Sequence, residues 1–307
     1  MNERPSSLLA LSAALLSSCA ALAGCAAAVI PLQHPTHPQA VPAVARLLSD
    51  DPTLVEEAQV EVSTLGEGAT PELLRAMRSA TPEGKIRLLD AATKIGKPAG
   101  VVAQIYREAV RDSDQTVRQS AAIQAGRAPE LSKQTTPAIR ALLGDPVPEV
   151  RSAALRSLAS LDSGASLSSE EILAAVDSPD PLICATGVSI AFNRGDSSLS
   201  APLRRALPRL ILQIRNPKPA TRAAVVAALG QYGKNAAPAV PSLTTVTRDD
   251  SVAEVRVQAA VALMRIGTPA AKAAARETFS EFSSSQNEAL KALSKGYLSQ
   301  PGAGAES

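Results

Sequence analysis

Cys19, Cys25 and Cys184 are the only thiols in the 307 residues, and His34 and His37 the only imidazoles. A cysteine or serine nucleophile needs a positioned base, and both imidazoles fall in the segment "AAAVIPLQHPTHPQ" near the N-terminus. The pair in "HPTHP" could bind a metal, but its prolines keep the rings off one helical face and no third ligand is near. The cysteine spacing fits neither a zinc site nor a disulfide framework, so Cys184 is expected to be a small buried hydrophobe. The carboxylate pairs Glu56-Glu57, Glu170-Glu171 and Asp249-Asp250 could do acid–base work, yet each reads as a helix start, where acids favour the helix dipole. "LGEGAT" and "PGAGAE" lack the lysine and the strand–turn–helix setting of a phosphate loop. No catalytic residue, metal site, cofactor or small-molecule substrate is therefore expected.

The elements that carry these residues are helical. Aromatic residues make up 2% of the chain and tryptophan is absent, so the core must be filled by Ala, Val, Leu and Ile, which suits closely approaching helices. The net charge is +2 with both signs dispersed, and neither a basic tract nor stacking aromatics mark a nucleic-acid surface.

At the N-terminus, "MNERPSS" precedes an uncharged apolar run from Leu8 to Cys25, the layout of a secretory signal with a weak basic region. Its end, Leu22-Ala23-Gly24-Cys25, resembles the lipobox of bacterial lipoproteins, and Leu16-Ser17-Ser18-Cys19 fits the same pattern more loosely. The resemblance implies cleavage before Cys25, with Cys19 as the alternative, and acylation that anchors the exported chain to the cell membrane or outer membrane on the periplasmic side. Residues 1–24 would be the signal peptide and 25–40 a proline-containing tether.

Beyond the tether the sequence repeats. Aligned on Glu56, Arg87, Arg118, Arg151, Cys184, Arg222 and Arg256, the chain recurs at spacings of 31, 31, 33, 33, 38 and 34 residues. Six residues before each anchor stand Asp50, Thr81, Asp112, Asp145, Ser178, Asn216 and Asp250, all N-cap types, four of them followed by proline. Apolar residues then follow a helical period, as at Val150, Ala154, Leu158 and Leu161, and at Val255, Ala259, Ala262, Leu263 and Ile266. Gly66, Gly96, Gly126, Gly195, Gly233 and Gly267 mark expected helix ends. Second apolar-periodic segments such as "VPAVARLL" and "SEEILAAV" lie between, so each unit is a helix pair that buries its apolar stripe only by stacking on its neighbours.

"NPKPATRAAVVAALGQYGKNAAPAVPSL" and "DDSVAEVRVQAAVALMRIGTPA" resemble the HEAT-repeat family, in its short bacterial variety related to the PBS-lyase HEAT-like repeats. The resemblance implies an all-α, right-handed α–α superhelix of about seven helix pairs over residues 41–283; the segment 284–298 has the composition of a terminal capping helix, and the tail at 299–307 is expected to be disordered. It further implies that Asp112, Arg118, Asp145, Arg151, Arg222, Asp250 and Arg256 form a ladder between repeats, broken where Glu56 and Cys184 replace arginine. Pro202 and Pro208 lengthen one step and are expected to kink an outer helix. The expected function is a non-enzymatic scaffold that binds another protein and is tied to the membrane by its lipid anchor. A bilin-lyase type of subunit or enzyme and a HEAT-like nucleic-acid reader are the alternatives implied by the wider family, and export argues against both.

Overall fold

The structure is a computed structural model that describes residues 36–97, 99–161 and 167–299. Cys19, Cys25, His34, the signal segment, most of the tether and the tail from residue 300 lie outside the described residues. The unit that begins at Thr36 is built from antiparallel helix pairs, with no strand among the described residues.

The outer helices are α1 (Ala40–Leu47), α3 (Thr70–Ala76), α5 (Ala99–Ala109), α7 (Ser132–Ala141), α9 (Ser169–Val176), α11 (Ser200–Leu212), α13 (Val240–Asp249) and α15 (Pro269–Phe282). The inner helices are α2 (Pro52–Leu65), α4 (Pro82–Ile95), α6 (Gln115–Arg127), α8 (Pro148–Ser160), α10 (Pro181–Arg194), α12 (Pro219–Gln231), α14 (Ala253–Ile266) and α16 (Glu288–Leu298). Each inner helix packs on its own outer helix and on the inner helices before and after it, so one apolar core runs the length of an α–α superhelix. The stripes read from sequence line this core: Val150, Ala154, Leu158 and Leu161, like Ala259, Leu263 and Ile266, are fully buried.

The helix starts differ from the sequence reading. Only Thr81 caps where expected, accepting from Gly84 N–H. The other N-caps are Asp51, Asp114, Val147, Asp180, Lys218 and Val252. Asp112, Asp145, Ser178, Asn216 and Asp250 stand two residues earlier, where each side chain accepts from the N–H of the N-cap residue at 2.9 to 3.2 Å. The recurring column is thus, at these five positions, a turn that aims the chain into the helix, not the cap itself. The first-turn prolines are correspondingly Pro148, Pro181 and Pro219 rather than Pro146, Pro179 and Pro217.

α16 enters by the same device: Ser285 Oγ accepts from Asn287 N–H at 3.1 Å, and Asn287 caps the helix. It is thus the inner helix of an eighth pair and the last helix of the stack among the described residues. α11 continues through Pro208, with Pro202 in its first turn. Gly126 lies within α6, where an added Cβ would stand 3.1 Å from Ser157 Cα on α8. Gly230 holds the same position between α12 and α14, 3.1 Å from Ala262 Cα, so both glycines set how closely successive inner helices approach.

Candidate functional site

Every inner helix places one residue four positions after its N-cap: Val55, Lys85, Arg118, Arg151, Cys184, Arg222, Arg256 and Lys291, each with its N–H bonded to the N-cap carbonyl. Glu56 and Arg87, aligned from sequence, fall outside this row. Glu56 is exposed on α2, and Arg87 Nη1–H donates to Ser49 O at 2.7 Å in the preceding turn.

Arg118 Nε–H and Nη2–H donate to the two oxygens of Asp145 in the next repeat at 2.7 and 3.1 Å, while Nη1–H donates to Asp112 O and Ser113 O in its own turn. Arg222 repeats the arrangement: its fork meets Asp250 at 2.6 and 2.8 Å and its Nη1–H meets Asn216 O and Pro217 O. Such a two-pronged contact fixes orientation as well as charge. One guanidinium therefore pins its own turn and the next one together.

The remaining steps vary in a regular way. Asp112 is met from the preceding repeat by Lys85 Nζ at 2.6 Å, so a lysine stands where the sequence reading placed an arginine. Arg151 donates to Asp145 O and Pro146 O, and its Nη2 lies 3.7 Å from Asp180 Oδ2, because the next turn carries Ser178 in place of an acid. Arg256 faces Ser285, and turns instead to Thr247 O and Glu281 on α15, with its guanidinium 5.0 Å over the Phe282 ring. Cys184 faces Asn216, and its thiol donates to Val176 O at 3.1 Å. Where the next turn bears an aspartate, the row supplies a cation to meet it. Lys85, Asp180 and Glu281 were not read as partners from sequence; counting four residues from each true N-cap would have found Lys85.

For both Asp145 and Asp250, burial works to raise the pKa, but the hydrogen bond from the facing arginine and the N–H of Val147 or Val252 outweigh it and hold each carboxyl below the usual value of 3.8. A depressed folded pKa contributes stability that is complete above the unfolded value and lost as pH falls through the folded one. Unfolding by urea is accordingly expected to need progressively less denaturant below about pH 4. Asp145→Asn and Asp250→Asn, less stable at neutral pH, should each flatten that acid limb. An unchanged limb in both variants would count against the pairs.

The reactive types do not converge. Burial raises the Cys184 thiol's pKa, against a lowering from Arg209, so the sulfur stays protonated within the core. Glu171 closes a capping box with Ser168 and pairs with Arg140, and Asp249 ends α13 rather than starting a helix. His37 N–H donates to Gly68 O at 3.0 Å, securing the start of the fold. Among the described residues there is no cluster that could hold a metal ion and no helix long and apolar enough to cross a membrane.

The inner layer also has a free face. Val60, Asp90, Ile123, Arg156, Ser189, Ala227 and Val261 occupy one position on successive inner helices from α2 to α14 and keep contact with solvent. Lys218 Nζ meets Glu149 Oε1 at 3.1 Å although α10 lies between their helices. Helix axes about 8–10 Å apart would hold these side chains out of reach on a flat layer, so the layer is concave there.

The sequence profile of HEAT repeats matches residues 102–187, 169–264 and 207–294. Among solved structures, human deoxyhypusine hydroxylase in complex with glycerol is similar at 17% identity and a TM-score of 0.37, over 85% of this chain and 94% of that one. That likeness is too remote to carry an argument. Comparison with curated proteins gives no match. The profile covers residues 102 to 294 without a gap, and over that span the helix pairs, the capped turns and the arginine row keep one register: the chain belongs to the HEAT-repeat family.

Proposed function

We propose that the protein is a non-enzymatic scaffold of a bacterial cell envelope, which binds another protein along the free face of its inner helices and is held to the membrane by acyl chains on Cys25. The observation that carries the reading is the commitment of the recurring charged residues to one another. Arg118 with Asp145 and Arg222 with Asp250 direct their polar groups into the stack, so what the repeats offer a partner is the free face of the inner helices. The address rests on the resemblance of Leu22-Ala23-Gly24-Cys25 to a lipobox.

Cys25→Ala is expected to abolish incorporation of labelled palmitate and to move the protein from the membrane to the soluble fraction. Label and membrane attachment that survive this change but not Cys19→Ala would transfer the anchor to Cys19; survival of both changes would overturn the lipoprotein reading. For the scaffold itself, a photo-crosslinker placed at Ile123 and at Ala227 in intact cells should capture the same protein from both positions. Capture at neither position contradicts a partner bound along the inner face.

A further inference from the structure

The inner face is interrupted by a cavity of about 450 Å³ over α10, between α8 and α12. Its origin is local. On the outward side of α10, an added Cβ at Gly187 would lie 2.7 Å from Ala175 Cβ and 2.7 Å from Val176 N, so the missing side chain lets α10 sit unusually close to α9. On the inward side α10 presents the short side chains Ala185 and Ser189, flanked by Ala159, Ala224 and Ala227. A helix set back and lined with small residues leaves a hollow in the layer.

Leu167, Ile172 and Ile190 give the hollow apolar walls, and polar groups enter it from two guanidinium groups, Asn193 and the hydroxyls at its rim. The two cations differ in their commitments. Arg194 Nη1–H donates to Leu167 O, and its charge is felt by Glu170 and Asp196. Arg156 has no hydrogen-bond or ion-pair partner among the described residues. Arg156 is exposed at the rim of the hollow, although its apolar surroundings pull the guanidinium below its usual pKa. A guanidinium at the rim of an apolar hollow, left without a counter-charge, offers an anion a charge-assisted hydrogen bond.

We propose that this cavity binds a small anionic amphiphile, an aliphatic chain bearing a single carboxylate, with the chain against Ile172 and Ile190 and the carboxylate on Arg156. The volume lies within the range of about 300–1,000 Å³ typical of small-molecule sites. A cationic ligand is disfavoured by Arg156 and Arg194, and a purely apolar one leaves Arg156 unpaired. The site is a ligand site rather than a catalytic one; it lies within the inner face proposed for the partner, but the scaffold reading does not depend on it and survives if the cavity proves empty.

The test is equilibrium dialysis of the full chain against radiolabelled decanoate, kept below its micelle concentration, with decanol as the uncharged comparison. Wild type should bind one decanoate saturably and decanol more weakly. Arg156→Met should weaken decanoate about tenfold or more, the usual cost of losing a charged hydrogen bond, and leave decanol unchanged. Ala227→Phe, at an exposed position where the fold tolerates bulk, should fill the hollow and abolish both, with circular dichroism confirming that both variants stay helical. No saturable binding, binding that both variants leave intact, or decanol binding as tightly as decanoate would each overturn the proposal.

Discussion

Arg118→Met is expected to destabilise the protein by about 3 kcal/mol, as measured by urea denaturation at neutral pH. The side chains of Arg118 and Asp145 are 13% and 5% exposed, so removing the guanidinium strands a carboxylate that water reaches poorly. Asp145 would keep only the Val147 N–H, and the carbonyls of Asp112 and Ser113 would lose their shared donor. Loss of one member of a buried pair costs roughly 3–5 kcal/mol, and the partial exposure of Arg118 places the effect at the lower end. Adding Asp145→Asn to Arg118→Met should recover part of the loss, because the amide oxygen still serves Val147 while the unpaired charge is gone. Arg248→Met supplies the contrast: its pair with Glu277 is 61% and 69% exposed, and exposed pairs contribute about 1 kcal/mol or less. Equal effects at Arg118 and Arg248 would mean that burial is not what gives the row its strength.

Gly187→Ala is expected to cost about 2 kcal/mol, in a helix where the same change would ordinarily stabilise. The added carbon meets backbone, not the far end of a flexible side chain: Val176 N at 2.7 Å and Ala175 C at 2.8 Å. Relief requires α10 to move away from α9, toward the hollow on its other side. Gly296→Ala on α16 has open space around the new carbon and should stabilise by about 0.5–1 kcal/mol. Thermal unfolding of the two variants should therefore shift in opposite directions. A stabilised Gly187→Ala would show that α10 is not seated against α9 as closely as the geometry requires.

The repeat itself was plain in the sequence because two periods coincide: an apolar stripe at helical spacing, and a turn residue with a basic residue six places later. The stripes at Val150–Leu161 and Val255–Ile266 lie in the core, and the intervening segments are the outer helices. The register was less legible. In Asp145-Pro146-Val147-Pro148, both prolines suit a helix start and an aspartate normally marks the cap, so nothing local reveals that the helix begins at the second proline. In the early units, adjacent acids at Asp50 and Asp51, and two basic residues at Lys85 and Arg87, allow a shift of one or two positions. Backbone bonds decide for Asp51 and Lys85, and with Lys85 in place its pairing with Asp112 matches the Arg118 step.

Other features depend on distances between repeats that no single segment encodes. Gly126 looks like a helix terminator from its neighbours alone, and becomes a packing residue only once α8 lies against it. The hollow over α10 needs Gly187 to face α9 and small residues to face inward, and its unpaired Arg156 comes from another repeat. Ser285 and Lys291 escaped the alignment because the row ends there in a serine and a lysine, although the turn they make is the same.

The recurring charged residues join one repeat to the next. Asp250→Asn tests this most directly, because the amide oxygen can keep the turn bond to Val252 N–H while the charge that meets Arg222 is lost. Hydrogen exchange should then show reduced protection in α12, Pro219–Gln231, in the preceding repeat, as well as at the start of α14. Loss of protection confined to α14, with α12 exchanging as in the wild type, would contradict it.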